Sequence, residues 1–72
     1  MSEAITLLDV VALLEDIPGK GLSHGQVGTV VEILAPDMFE VEFCDDEGQT
    51  YAMTPLRADQ LMALRFRPLL VA

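Results

Sequence analysis

The segment Met38-Phe-Glu-Val-Glu-Phe-Cys44 alternates apolar and acidic residues, and this period of two constrains the fold more than any other feature of the chain. Phe39, Val41 and Phe43 fall on one side of an extended backbone, with Glu40 and Glu42 on the other. The segment therefore reads as an antiparallel strand with one dry and one wet face. Before it runs Gly25-Gln-Val-Gly-Thr-Val-Val-Glu-Ile33, an apolar stretch punctuated by glycine. After it comes Asp45-Asp-Glu-Gly48, a four-residue hairpin loop in which Gly48 is free to take a positive φ. Residues 49–54 read as the return strand, which Pro55 ends.

The rest of the chain fits around this hairpin. Residues 27–34 form the preceding strand, with Gly25 marking a tight start and Gly28 a bulge. Residues 7–15 are ambiguous: Leu7, Val10, Val11 and Leu14 fit a helical face, while 10–14 also suits a buried strand. A strand over 10–15 is preferred, because the paired valines and the prompt Pro18-Gly19 stop suit it better. In residues 16–25, Pro18 and the glycines lie too close together for any regular element. Residues 57–61 read as one helical turn and 62–66 as a short closing strand. The expected fold is all-β, a small five-stranded SH3-like barrel over residues 1–66 with one short helical turn near 57–61. Residues 67–72 form an apolar C-terminal tail.

Seventy-two residues make one domain with a thin core. A chain of this size buries only roughly 60–65% of the surface its unfolded form exposes, so an interface can usefully supplement it. Little room is left for an enclosed substrate pocket. Cys44 is the only cysteine, so no disulfide can form within the chain, and a reducing, cytoplasmic location is expected. No leading Lys or Arg precedes the first apolar run, which Asp9 interrupts, so the N-terminus is a poor signal peptide. No apolar run approaches the length of a membrane span.

Charge narrows the partners. The net charge is −8, with four Lys and Arg against twelve Asp and Glu. Nucleic-acid affinity comes mostly from phosphate neutralisation by basic side chains, so neither nucleic acid nor a membrane is expected as a partner. Another protein, more basic than this one, is the better match. The charge is also unevenly spread: residues 1–50 carry −10 and residues 51–72 carry +2.

The runs Leu8-Asp-Val-Val-Ala-Leu-Leu-Glu-Asp-Ile-Pro18, Gly25-Gln-Val-Gly-Thr-Val-Val-Glu32, Phe39-Glu-Val-Glu-Phe43 and Ala58-Asp-Gln-Leu61 resemble a family of short bacterial proteins of unknown function, DUF4926. The resemblance covers about residues 7–64. It implies an SH3-like barrel, a bacterial source and a small gene that sometimes lies beside suspected toxin–antitoxin genes. It implies no activity and no catalytic residues.

Candidate chemistry is sparse. Asp45, Asp46 and Glu47 are a dense carboxylate cluster, but their spacing is not that of an EF-hand loop, and they read as a solvated hairpin tip. His24 has no second histidine or cysteine to make a zinc site or a nucleophile–base pair. Cys44 has acidic neighbours and no cation to activate its thiolate. The glycines at 19, 21, 25 and 28 precede a strand, whereas a phosphate loop precedes a helix. With no Trp, one Tyr and three Phe, the chain also lacks the aromatics of a Pro-peptide groove or a methyl-lysine cage.

No enzyme activity and no cofactor are therefore expected. The chain reads as an acidic protein-interaction module, antitoxin-like or neutralising towards a basic protein. Its candidate contact residues are Glu32, Glu40, Glu42, Asp45, Asp46, Glu47 and Tyr51, together with Arg65, Phe66 and Arg67. The alternative is a structural homo-oligomer or accessory subunit, built through the C-terminal tail and the barrel edge.

Overall fold

The computed structural model describes residues 4–66 and Pro68. Five strands follow one another as β1 (Val10–Leu13), β2 (Val27–Ala35), β3 (Met38–Cys44), β4 (Thr50–Arg57) and β5 (Leu61–Ala63). Among the described residues helical backbone is confined to two 3₁₀ turns, Pro18–Lys20 and Ala58–Gln60. All neighbouring strands are antiparallel and form one sheet in the order β4-β3-β2-β1-β5. The fold is thus all-β with five strands, as the sequence indicated. A long first loop, two tight hairpins and a 3₁₀ turn before the last strand connect the five strands in that order.

The core forms because every strand turns its alternate residues inward. Val11 and Leu13 of β1, Val30 of β2, Phe39, Val41 and Phe43 of β3, Leu56 of β4 and Leu61 of β5 make one buried cluster with Leu22. Each such side chain contributes about 1.5–3 kcal/mol of transfer free energy against the entropy of ordering the chain. Phe39, Val41 and Phe43 are all buried, so the alternation of β3 is realised as read.

The first loop departs from the sequence expectation, which allowed it no regular element. Pro18 opens a 3₁₀ turn, where its missing N–H costs nothing, and Gly21 closes it with φ of 69°. Ile17 and Leu22 then bridge across the turn, which delivers Leu22 into the core. Gly25 makes the expected tight start to β2, with φ of 93° and its N–H donating to the Leu13 carbonyl at 2.8 Å.

Gly28 is not a bulge. Its pairing with Val11 is regular, and the irregularities of β2 fall between Val30 and Glu32 and between Ile33 and Ala35. Glycine is needed there for close approach, because a Cβ would lie 2.8 Å from both the Glu42 carbonyl oxygen and Val41 Cγ1. Pro55 does not end β4 but sits inside it, opposite Glu40. The reason is position: β4 is an edge strand, where one residue without an N–H is tolerated.

Other boundaries shift by a few residues. β1 stops at Leu13 instead of 15, and the second 3₁₀ turn covers Ala58–Gln60 instead of 57–61. β5 covers Leu61–Ala63 instead of 62–66. Gln60 explains where that last corner settles. Its Oε1 accepts the Arg57 N–H at 2.8 Å, and its Nε2 donates to Glu15 Oε2 at 3.2 Å. The Ala58 N–H donates to the Asp37 carbonyl at 2.9 Å, which ties this turn to the β2–β3 turn. Among the described residues no helix is long and apolar enough to cross a membrane.

Candidate interaction surface

Strand register decides which side chains share the outer face of the sheet. One row across it reads Val10, Thr29, Glu42, Met53, because Val10 pairs with Thr29, Thr29 with Glu42 and Glu42 with Met53. A second row reads Glu32, Glu40, Pro55. A third reads Met62, Ala12, Val27. The sequence-predicted Glu32, Glu40 and Glu42 are therefore brought together on one face. Glu32 and Glu40 stand directly opposite each other on adjacent strands, an arrangement of like charges that destabilises a sheet. Among the described residues no Lys or Arg forms an ion pair with these three carboxylates. Glu42 accepts a hydrogen bond from the Thr50 hydroxyl, which also contacts Cys44 Sγ at 3.7 Å.

The hairpin tip continues the acidic surface from β3. Asp45 is used internally: its Oδ1 accepts the N–H groups of Glu47 at 2.9 Å and Gln49 at 3.0 Å. The Gly48 N–H donates to the Asp45 carbonyl at 3.0 Å, and Gly48 takes the expected positive φ of 81°. Asp46 and Glu47 are exposed. Tyr51 lies next to the tip, with its ring centroid 6.3 Å from that of buried Phe43. Its hydroxyl accepts a hydrogen bond from Gln26 Nε2 at 3.3 Å, which links the first loop to β4.

Arg65 and Phe66 are not part of this group. They follow β5, which is separated from β3 by β1 and β2. Phe66 is 77% exposed, and Arg65 lies at the rim of an open cavity of about 600 Å³ that reaches Phe39 and Leu61. Arg67 and residues 69–72 lie outside the described residues, so the predicted tail contacts lie there too.

The His24 backbone N–H donates to Asp16 Oδ1 at 2.8 Å, and His24 is exposed. Among the described residues no group of three His, Cys, Asp or Glu side chains could hold a metal ion. The exposed Arg57–Asp59 pair, at 3.0 Å, is of the surface kind that contributes about 0–1 kcal/mol.

Sequence reasoning missed the apolar row Met62, Ala12, Val27 beside the carboxylates. The signal was present, since Val10 and Ala12 alternate with the inward Val11 and Leu13. Which strands flank β1, however, depends on pairings more than ten residues apart in the chain.

Fold and surface together define a small all-β domain of five antiparallel strands whose outer face is part acidic and part apolar. The chain belongs to the family described as Domain of unknown function (DUF4926), which matches it over residues 7–63. No curated protein and no solved structure matches the chain.

Proposed function

We propose that this chain is a non-enzymatic, acidic interaction module that binds a more basic protein, in the manner of a neutralising or antitoxin-like partner. The observation that carries this reading is the Glu32–Glu40 pair with Glu42 beside it. Placing like charges opposite one another on a sheet face costs stability, and a cationic partner would repay that cost. The net charge of −8 adds long-range steering of a basic partner.

Binding by the face is favoured over strand addition at the edges. Edge strand β4 carries Pro55, and edge strand β5 has only three residues, so both are poor templates for another strand. The exposed free thiol of Cys44 suits a reducing compartment, and we place the protein in the cytoplasm.

The test is affinity capture at low salt from a lysate of the native host, with two baits compared. One is the wild-type chain and the other carries Glu32→Gln, Glu40→Gln and Glu42→Gln. A basic protein retained by the wild type and lost by the variant is the expected result. Recovery of general chaperones alone, or of the same proteins by both baits, would refute the reading.

A further inference from the structure

We propose that the outer face of β1, β2 and β5 is the floor on which a basic amphipathic helix of the partner docks. Its apolar side would lie on Val10, Val27 and Met62, and its Lys or Arg side chains would reach Glu32, Glu40 and Glu42. This rests on the reading of the chain as a binder of a basic protein and adds where, and by what kind of segment, the partner is held.

Val27 and Met62 are 46% and 49% exposed, and between them Ala12 forms a floor that is only 6% exposed although it points away from the core. Three adjacent strands make this row about 10 Å wide, close to the 10–12 Å diameter of a helix with its side chains. Thr29 separates Val10 from Glu42 in the next row, so the apolar strip runs directly into the carboxylates. A segment apolar on one side and cationic on its flank is complementary to both halves.

Charge complementarity also selects the occupant. A second copy of this chain would bring another net charge of −8 and set carboxylates against carboxylates. An acidic or neutral apolar segment would leave Glu32, Glu40 and Glu42 unmatched. An extended strand would need a sheet edge, and the proposed floor is a face.

The experiment is a ¹⁵N-HSQC titration of the full chain with three synthetic peptides: a Leu/Lys amphipathic helix, a Lys/Ser peptide of equal charge, and a Leu/Glu amphipathic helix. The proposal expects the Leu/Lys peptide to shift the amides of Val10, Ala12, Val27 and Met62 together with those of Glu40 and Glu42. The Lys/Ser peptide should bind more weakly and leave the apolar row unmoved, and the Leu/Glu peptide should not bind. The Val27→Thr, Met62→Gln variant should weaken Leu/Lys binding about tenfold with the Lys/Ser response unchanged. Its own spectrum shows whether it is folded, and Met62→Gln alone serves if it is not.

If both basic peptides shift only the carboxylate residues, this docking mode is overturned while the wider reading of a basic partner survives. If neither basic peptide binds, both are overturned. Shifts of the apolar row that grow with protein concentration alone would assign the face to self-association and overturn the proposal.

Discussion

Replacing Gly28 by Ala tests the packing on which the whole sheet depends. Gly28 is buried in β2, and its φ is not in the left-handed region, so alanine brings no backbone strain. The difficulty is space. An added Cβ would lie 2.8 Å from the Glu42 carbonyl oxygen, 2.8 Å from Val41 Cγ1 and 3.0 Å from Phe43 Cδ2. These contacts are well inside the optimum of about 3.5–4.0 Å between carbon atoms. Neither neighbour can yield easily, because Val41 and Phe43 are both fully buried and the Glu42 oxygen belongs to the β2–β3 ladder.

Overpacking of this kind costs about 1–3 kcal/mol, and the stiffer unfolded chain of the alanine variant returns about 0.4–1 kcal/mol. The net expectation is a loss of about 1–2 kcal/mol, which for a domain this small lowers Tm by about 5–15 °C. Urea denaturation followed by circular dichroism should show a lower midpoint at an unchanged slope. Gly19→Ala is the control, since no atom lies within 4 Å of a Cβ there, and it should not destabilise. A Gly28→Ala variant as stable as the wild type would refute the close approach of β2 to β3.

Other substitutions probe the corners and the charged face. Glu40→Lys turns the like-charged pair with Glu32 into an attractive one and should add about 0.5–1 kcal/mol at low salt, shrinking as salt is raised, in paired urea titrations. Gln60→Ala removes both hydrogen bonds of a nearly buried side chain and should cost about 1–3 kcal/mol by the same measurement. Leu8 is 68% exposed with φ of 70°, so Leu8→Gly should relieve strain and raise stability by about 0.5–1 kcal/mol, visible as a higher Tm.

What could be read from the sequence follows how local each feature is. β3 and its hairpin were legible because alternation, turn residues and Gly48 all act within a dozen residues. The grouping of Glu40 and Glu42 follows from the same alternation, but the opposition of Glu32 to Glu40 depends on the register shift between Ile33 and Ala35, since an unbroken register from the Pro36-Asp37 connection would set Ile33 opposite Glu40. β1 was ambiguous because its outward residues Val10 and Ala12 are apolar like the inward Val11 and Leu13, so polarity does not mark its period of two.

Pro55 misled because its tolerance depends on β4 being an edge, which only the finished strand order reveals. Gly28 misled for a similar reason, since its neighbours Val41 and Phe43 come from another strand. The loop carrying Leu22 hid a core residue among Pro and Gly, where composition points to solvent. The apolar row beside the carboxylates was half legible: alternation puts Val10 and Ala12 on one side of β1, but their neighbours Val27 and Met62 come from β2 and β5.

The most direct test of the acidic face as a binding surface is the association rate of the captured basic partner, measured by stopped flow as ionic strength is raised. The account predicts a rate that falls steeply with salt for the wild type. For the variant carrying Glu32→Gln, Glu40→Gln and Glu42→Gln, it predicts a slower rate with a much flatter salt dependence. Equal rates and equal salt dependence for the two proteins would contradict it.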